Sequence, residues 1–319
     1  MKKLICLLLP ILLLTACGQT PEPAGEEDGI QVVASNFPAY DFARAVCGEA
    51  AEVTLLLPPG AESHSYEPTP ADILSVRDCD LFIYLGGESD TWVDTILTAV
   101  EPTGQQMRMI DCVELLEEEH DHDHEHEHDH EHEHEHAEGV GEVLEIDEHV
   151  WTAPANAAEI TLQIGEKMGE IDPANAALYM ENAQAYAGEI GEVDRELSDF
   201  FASVDHPVML FGDRFPLRYF AEAYGVEYFA AFPGCSTQTE PSAATIAFLT
   251  DEVKAEGLTT VYYIEFSNHL VADSIAEATG VDTALFHSCH NVSQEQLDGG
   301  VTYVTLMRDN LETLKRTMP

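Results

Sequence analysis

The sequence predicts an α/β protein with two parallel-sheet lobes, which are joined by one long rigid helix and leave a cleft between them. Short apolar runs rich in β-branched residues alternate with helical stretches before residue 111, and the same alternation returns after residue 205. Such an alternation favours parallel strands whose helices cover both faces of each sheet. The stretch between the halves is rich in Ala, Glu and Leu, which is typical of a continuous helix.

Each half of the chain supplies four candidate strands. In the first lobe we expect strands at 30–34, 53–57, 81–85 and 107–110, with helices near 38–47, 70–77 and 90–100. In the second lobe we expect strands at 208–211, 226–230, 261–264 and 283–286, with helices around 214–224, 241–256, 268–279 and 300–317. Ligands of such sheets bind beyond the carboxyl ends of the strands, so a cleft is expected there.

The linker helix is expected to begin at Asp172-Pro173, because an aspartate N-cap followed by proline in the first turn indicates a helix start. It would contain about 30 residues and measure roughly 45 Å at the standard rise. This placement divides the chain into an N-terminal lobe at 30–171, a linker helix at 172–204 and a C-terminal lobe at 205–319.

A leader precedes the part of the chain that is expected to fold. Two lysines stand before an apolar run that ends at Leu14, which is shorter than the roughly 20 residues that a membrane span needs. Cys17 follows two small residues as in a bacterial lipobox, so we expect removal of a signal peptide, 1–16, and diacylation of the Cys17 sulfur. Residues 17–29 would then be a flexible tether that holds the protein outside the cytoplasm, at the bacterial cell membrane.

Composition restricts the partners of the protein. Sixty acidic residues against thirteen basic ones give a formal net charge of −47 at pH 7. A field of that sign repels nucleic acid and gives no electrostatic attraction to anionic lipid, whereas it attracts cations.

A tract in which histidine alternates with acid interrupts the first lobe at 118–138. It has no apolar face of any period, so a solvated loop is expected. Imidazole nitrogens bind divalent metals and the carboxylates add oxygen donors, so we interpret the tract as an accessory metal loop. A purification tag would not lie in mid-chain and alternate with acids. The nine histidines are His120, His122, His124, His126, His128, His130, His132, His134 and His136.

Three further histidines stand where a cleft is expected. His64 and His287 follow predicted strands of different lobes, and His149 follows the acidic tract. Because strand ends of both lobes face the cleft, we expect the three imidazoles to share one metal ion. Imidazole ligands favour Zn²⁺ over Mn²⁺, which prefers carboxylate and water, while Cu²⁺ and Ni²⁺ bind such sites at least as tightly in vitro.

Three segments resemble the zinc/manganese solute-binding lipoproteins of ABC importers. They are Pro-Gly-Ala-Glu-Ser-His64-Ser-Tyr-Glu-Pro-Thr-Pro, Asp147-Glu148-His149-Val150-Trp151 and Ser-Ile-Ala-Glu-Ala-Thr-Gly280. The resemblance covers nearly the whole of 30–319 and implies one long helix between two lobes, a metal in the cleft and an ABC permease as partner. His64 and His149 match two N-lobe ligands of the family, and His287 falls where the family places its last C-lobe ligand. We expect a monomer.

One position departs from this family. A His or Glu ligand usually precedes the first Tyr of a Tyr-Phe-Ala-x-x-Tyr-Gly segment by five residues, and here Arg214 stands five residues before Tyr219. A guanidinium group has no lone pair to offer a metal. The third ligand is therefore expected to be absent or displaced to Asp213, Glu240, Glu265 or a water. Arg214 itself is expected to pair with one of those acids.

Two other classes of function stay open. Three histidines with a free fourth position also suit a zinc hydrolase, although the sequence has no His-Glu-x-x-His helix and Glu265 is the one conceivable base. A surface adhesin or a passive metal store would depend on the histidine tract and not on the cleft. We favour the importer subunit, which is not an enzyme, with zinc as its cargo and manganese as the alternative.

The cysteines permit disulfides, of which we predict one. Export to an oxidising compartment allows bridges, and the five cysteines after Cys17 are an odd number, which leaves at least one thiol free. Cys235 and Cys289 each follow a predicted strand of the second lobe, so we expect them to be joined. The alternative is that Cys289 supplies a thiolate to the metal.

We expect that deletion of Glu118–Glu138 removes several weak zinc sites and leaves one tight site per chain. The reason is that a disordered tract must be ordered by the metal it captures, whereas side chains on rigid strand ends lose little entropy. Titration calorimetry with a competing chelator measures both kinds of site. Loss of the tight site on deletion would mean that the tract, and not the cleft, holds the metal firmly.

Overall fold

The computed structural model describes residues 29–87, 90–116, 146–234 and 241–318. The predicted leader with Cys17, the histidine tract, and the segment that contains Cys235 and Glu240 lie outside the described residues. Within the described ranges the two predicted parallel sheets are both present, with four strands each. No helix in those ranges is long and apolar enough to cross a membrane.

The first sheet has the strand order β2-β1-β3-β4, and every neighbouring pair is parallel. Its strands are β1 Ile30–Ala34, β2 Ala51–Leu55, β3 Leu81–Tyr84 and β4 Gln105–Arg108, with helices α1 Phe37–Cys47, α2 Pro70–Asp78 and α3 Thr91–Ala99. The strand predicted at 107–110 is shifted, because Met109 and Ile110 lie in a short 3-10 helix, Met109–Cys112. Both residues are buried, so their apolar character indicated burial and not strand geometry.

The second sheet repeats the arrangement with the order β6-β5-β7-β8, again parallel. Its strands are β5 Val208–Phe215, β6 Glu227–Pro233, β7 Thr260–Tyr263 and β8 Asp282–Leu285. The helices that follow the lobe linker are α6 Arg218–Tyr224, α7 Ala243–Ala255, α8 Leu270–Thr279, α9 Gln294–Asp298 and α10 Tyr303–Thr317. The helix predicted from residue 214 begins only at Arg218, because β5 shifts register after Phe211 and then continues to Phe215.

The link between the lobes is a pair of helices, and the prediction of a single helix from Asp172 was wrong at its start. α4 runs over Pro154–Ile171, and α5 over the 26 residues Ala176–Phe201. Asp172 caps the C-terminus of α4, and its carboxylate accepts hydrogen bonds from the backbone N–H of Ala174 and the side chains of Asn175 and Tyr179. Proline disfavours helical geometry in the residue before it, so Asp172-Pro173 separates two helices.

Glycine allows α4 and α5 to approach each other closely. A Cβ atom added to Gly165 of α4 would lie 2.7 Å from the Cβ of Ala183 in α5. Gly188 of α5 is exposed, and a Cβ added there would meet no other atom within 4 Å. The first glycine is therefore required by packing, and the second is not.

A buried carboxylate fixes the lobes on the linker. Asp41 of α1 accepts hydrogen bonds from Arg44, from the backbone N–H of Tyr303 at 2.8 Å and from the hydroxyl of Tyr186 in α5. Burial raises the pKa of Asp41, while the Arg44 charge and these hydrogen bonds act in the opposite direction. Because one side chain joins α1, α5 and α10, both lobes are held to the same helix.

We expect Gly165→Ala to destabilise the protein by about 1–3 kcal/mol, because overpacking at the α4–α5 contact outweighs the gain in helix propensity. Gly188→Ala, the matched control, gains the same propensity without a clash and should stabilise by up to about 1 kcal/mol. Urea unfolding of both variants measures the difference. Equal effects of the two substitutions would contradict the close contact.

Candidate metal centre

A cavity of about 160 Å³ lies between the lobes at the carboxyl ends of the strands. One wall comes from the loop after β2 and from the segment before α4, and the other comes from the ends of β5 and β6 and the loops after β7 and β8. Its polar lining includes Glu62, Ser63, His149, Arg214, Glu265, Ser288, His290 and Asn291. Imidazole, carboxylate and guanidinium groups thus share one small space.

His149 is held in a fixed orientation. Its ring is 1% exposed, and Nδ1 lies 3.1 Å from a carboxylate oxygen of Asp147, which also accepts the His149 backbone N–H at 2.8 Å. Burial would raise the pKa of Asp147, but attraction to His149 and the hydrogen bonds from it hold that pKa below its usual range. A carboxylate on Nδ1 leaves the Nε2 lone pair for a metal, which is how metal-binding histidines are usually oriented.

Trp151 connects His149 to the second lobe. Its indole N–H donates to the carbonyl of Ser288 at 2.8 Å, and its own carbonyl accepts the hydroxyl of Tyr303 at 2.7 Å. The indole ring lies against both imidazoles, with ring centroids 5.4 Å from His149 and 5.3 Å from His290. The centroids of the two imidazoles are 6.2 Å apart.

His290, and not His287, is the histidine of the second lobe that lines this cavity. The ring of His287 is buried and does not line the cavity, and its Nδ1 accepts the backbone N–H of Cys289 at 2.9 Å. Its backbone is fixed to Asn310, whose amide accepts the His287 N–H and donates to the His287 carbonyl. Within the described residues, Nε2 of His287 has no hydrogen-bond partner. The sequence predicted His287 as the last ligand, and the structure brings His290, three positions later, to the cavity wall instead. The segment His-Ser-Cys-His offers two candidate imidazoles, and only the path of the loop distinguishes them.

Glu265 positions the loop that carries His290. Its carboxylate accepts the backbone N–H of Ser288 at 2.7 Å, the hydroxyl of Ser288 at 2.5 Å and the backbone N–H of His290 at 3.2 Å. The side chain is 7% exposed, and one oxygen lies 3.6 Å from Nδ1 of His287. The Glu265 carboxylate therefore fixes the conformation of the loop that carries His290.

Asp213 also holds backbone. Its two oxygens accept the backbone N–H of Arg214 at 2.8 Å and of Ile264 at 3.3 Å. It lines a neighbouring cavity of about 190 Å³, and neither His149 nor His290 belongs to that lining. Of the other two acids predicted as a possible fourth ligand, Glu265 accepts backbone N–H groups of the loop after β8, and Glu240 lies outside the described residues.

Among the described acids, the ion pair of Arg214 is with Glu62, which was not among the predicted partners. The Arg214 guanidinium lies 3.4 Å from the Glu62 carboxylate, which belongs to the opposite lobe, whereas Glu240, one of the predicted partners, lies outside the described residues. The sequence order could not indicate this pair, because the two residues are 152 positions apart and meet only through the packing of the lobes.

The loop that carries His64 is fastened to the loop that carries His290. The side-chain amide of Asn291 donates to the carbonyls of Pro58 and Ala61, each at 2.9 Å. The backbone of His64 lies in the middle of the 3-10 helix Ser63–Ser65, while its side chain is outside the described part. Among the side chains that are described, no three of His, Cys, Asp or Glu form a metal-binding group.

Cys289 faces the interior of the second lobe. Its sulfur is fully buried, lies 3.8 Å from the sulfur of Met307, and is a free thiol in the structure. Burial raises the thiol pKa well above its ordinary value, which disfavours the thiolate that a metal needs. The bridge to Cys235 stays a prediction, because Cys235 lies outside the described residues.

Two parallel-sheet lobes on a helical linker, with imidazoles from both lobes in the cleft, define a solute-binding protein of the metal-binding class. A profile of the ZnuA family, described as zinc-uptake complex component A, periplasmic, matches residues 32–317. The chain belongs to this family.

Individual relatives agree with that assignment. The chain is 31% identical over 317 residues to the high-affinity zinc uptake system protein ZnuA of Bacillus subtilis, covering 96% of this chain and 94% of that protein. It is 28% identical over 327 residues to the zinc-binding lipoprotein AdcA of Streptococcus pneumoniae, covering 99% of this chain but only 61% of AdcA. The crystal structure of the Zn(II)-bound ZnuA-like domain of Streptococcus pneumoniae AdcA superposes with a TM-score of 0.72 at 25% identity, over 91% of this chain and 99% of that domain.

A second buried carboxyl group lies in the first lobe, close to the charge of Glu148. Asp90 is 3% exposed, and one of its oxygens accepts the backbone N–H of Leu85 at 2.6 Å and the hydroxyl of Ser35 at 3.2 Å. Burial raises the pKa of Asp90 to about 7. The hydrogen bond from Leu85 acts on this pKa in the opposite direction, and the charge of Glu148 acts in the same direction as burial.

We expect Asp90 to make the free energy of unfolding fall as pH rises from about 4 to 7. Over that range the folded protein retains a proton that the unfolded chain has lost, at a cost of up to about 4 kcal/mol by pH 7. Asp90→Asn should remove this part of the slope in urea unfolding, whereas Asp94→Asn, at an exposed carboxyl of the same helix, is the control. A slope unchanged by Asp90→Asn would contradict the raised pKa.

Proposed function

We propose that the protein captures Zn²⁺ in the cleft with the imidazoles of His64, His149 and His290 and delivers it to the permease of an ABC importer. The observation that carries this proposal is the pair of imidazoles, one from each lobe, that lie with centroids 6.2 Å apart in the wall of one small cavity. Zinc is the cargo, so it must be bound tightly and later released. Ligands from two lobes suit that task, because relative movement of the lobes breaks the coordination shell.

The chemistry of the donors favours zinc over manganese. Imidazole nitrogen suits Zn²⁺, whereas Mn²⁺ prefers carboxylate and water oxygens. Near the two imidazoles, Glu265 and Asp213 are held by backbone N–H groups, so oxygen ligands for manganese are less available. His64 is included because its backbone lies in the loop next to Ser63, which lines the cavity.

The cellular location of the protein follows from its leader. Cys17 after two small residues supports a lipid anchor at the outer side of the cell membrane, and the family is described as periplasmic. The histidine tract would then collect zinc near the cleft, and the net negative charge would raise the local concentration of cations. The protein acts as a monomeric carrier and hydrolyses neither esters nor phosphates.

We expect His149→Ala and His290→Ala to lose most of the zinc affinity, because the remaining ligands cannot close a four-coordinate shell. His287→Asn, which keeps an acceptor near the Nδ1 position for Cys289, should retain tight binding. His269→Ala removes an exposed imidazole that contacts Asp273 and is the matched surface control. Calorimetric titration against a competing chelator, in protein without residues 118–138, measures the single tight site.

The thermal melt of the same variants separates loss of a ligand from loss of the fold. Zinc at about 1,000 times its dissociation constant should stabilise the native protein by roughly 4 kcal/mol, and Mn²⁺ should stabilise it less. A variant that melts like the native protein without metal, but gains no stability with zinc, has lost a ligand. If His287→Asn loses zinc and His290→Ala keeps it, the assignment of the C-lobe ligand is reversed.

A further inference from the structure

Arg214 occupies a part of the cleft where a protein ligand to the metal would be expected. The strand β5 shifts its register just before this residue and then continues, which places Arg214 at the edge of the cavity. Its side chain is 19% exposed and lines the same space as His149 and His290. A permanent cation therefore lies inside a site that receives a dication.

The contact that neutralises Arg214 is loose. Its Nη1 atom is 3.4 Å from each carboxylate oxygen of Glu62. Charge-assisted hydrogen bonds between guanidinium and carboxylate are normally about 2.7–2.9 Å long. The Glu62 side chain is 52% exposed, and an exposed pair of this length is weak and exchanges readily. The guanidinium can thus turn to another anion.

Zinc and Arg214 repel each other unless an anion lies between them. A zinc ion on His149 and His290 adds two positive charges to the cavity, and the repulsion is only partly screened away from bulk water. An oxyanion at that place attracts both cations and supplies the metal with the oxygen atom that arginine lacks. The planar N–H fork of arginine matches the geometry of a carboxylate.

The cavity has room for such an anion. Its volume is about 160 Å³, and one water molecule in the liquid takes about 30 Å³, so a metal ion does not fill it. The carboxylates of Asp213 and Glu265 do not fill the space either, because both are bound to backbone N–H groups.

We propose that the cleft binds zinc together with one small oxyanion, a carboxylate or bicarbonate, which coordinates the metal through one oxygen and accepts hydrogen bonds from Arg214. The proposal rests on the proposed function, and it adds an anion as the second component that binds together with zinc. Because the protein is strongly anionic, the anion binds after zinc and not before it. No covalent bond of the anion is broken, and both components leave when the lobes part.

The test is the apparent zinc affinity with and without an added anion. Zinc is titrated against a fluorescent chelator in a degassed, weakly coordinating buffer that contains bicarbonate, acetate or perchlorate at equal ionic strength. An anion at about ten times its own dissociation constant should raise the apparent zinc affinity about tenfold, because zinc and anion are linked. A difference between bicarbonate and acetate identifies the anion, and perchlorate should have no effect.

Variants assign the effect to the guanidinium. Arg214→Gln should remove the difference between buffers, and Arg214→His should bind zinc tightly in perchlorate alone, since an imidazole lone pair replaces the anion. Arg308→Gln is the matched control, because Arg308 is 42% exposed on α10 and lies 3.7 Å from Glu192 at the surface. It should keep the full response to the anion.

Three results would overturn the proposal or its basis. The native protein could bind zinc tightly in perchlorate, with no change in bicarbonate or acetate. This result would contradict the bound anion but would agree with the proposed zinc carrier. Glu62→Gln should preserve the anion response; if instead it abolishes tight binding without added anion, Glu62 is itself the oxygen ligand. Absence of tight zinc binding in every buffer removes the proposed function, and the anion with it.

Discussion

The hydrogen bond between the indole of Trp151 and the carbonyl of Ser288 joins the two walls of the cleft. Trp151 is completely buried, and its ring contacts the imidazoles of His149 and His290, which come from different lobes. A large aromatic side chain with one satisfied N–H packs rigidly. The separation of the two histidines therefore depends on one side chain, which is itself held through its carbonyl by Tyr303.

This contact continues into the body of the protein. Tyr303 begins α10, and its backbone N–H binds the carboxylate of Asp41, which in turn binds Arg44 and Tyr186. A buried carboxylate without these partners would be strongly unfavourable, so removing any one of them affects the others. A continuous series of polar contacts thus connects the linker helix α5 with the wall of the cleft.

The acids of the cleft serve mainly to fix backbone. Glu265 holds the loop after β8, Asp213 holds the ends of β5 and β7, and Asp147 orients the ring of His149. Each carboxylate accepts at least one backbone N–H group near the cleft. The cavity lining thus contains two imidazoles together with carboxylates, of which that of Glu265 is bound to backbone N–H groups.

The sequence alone determined the two sheets. Alternating apolar runs identify buried strands whatever the rest of the chain does, and the eight strands were predicted to within a few residues except where β5 extends to Phe215. The sequence-based prediction missed α4 and included the turn at Asp172 in α5. The reason is that a helix C-cap resembles an N-cap when the preceding helix is not recognised.

The residues of the candidate site could be predicted only in part from the sequence. The structure places His149 in the cavity wall, where the segment Asp147-Glu148-His149-Val150-Trp151 predicted it, and its role as a ligand stays a prediction. The choice between His287 and His290 depended on how Glu265 and Asn310 fix the loop, and these residues are 20 or more positions away. Only the tertiary structure brought Glu62 to Arg214, since contact between lobes is set by packing over long sequence distances and leaves no local pattern.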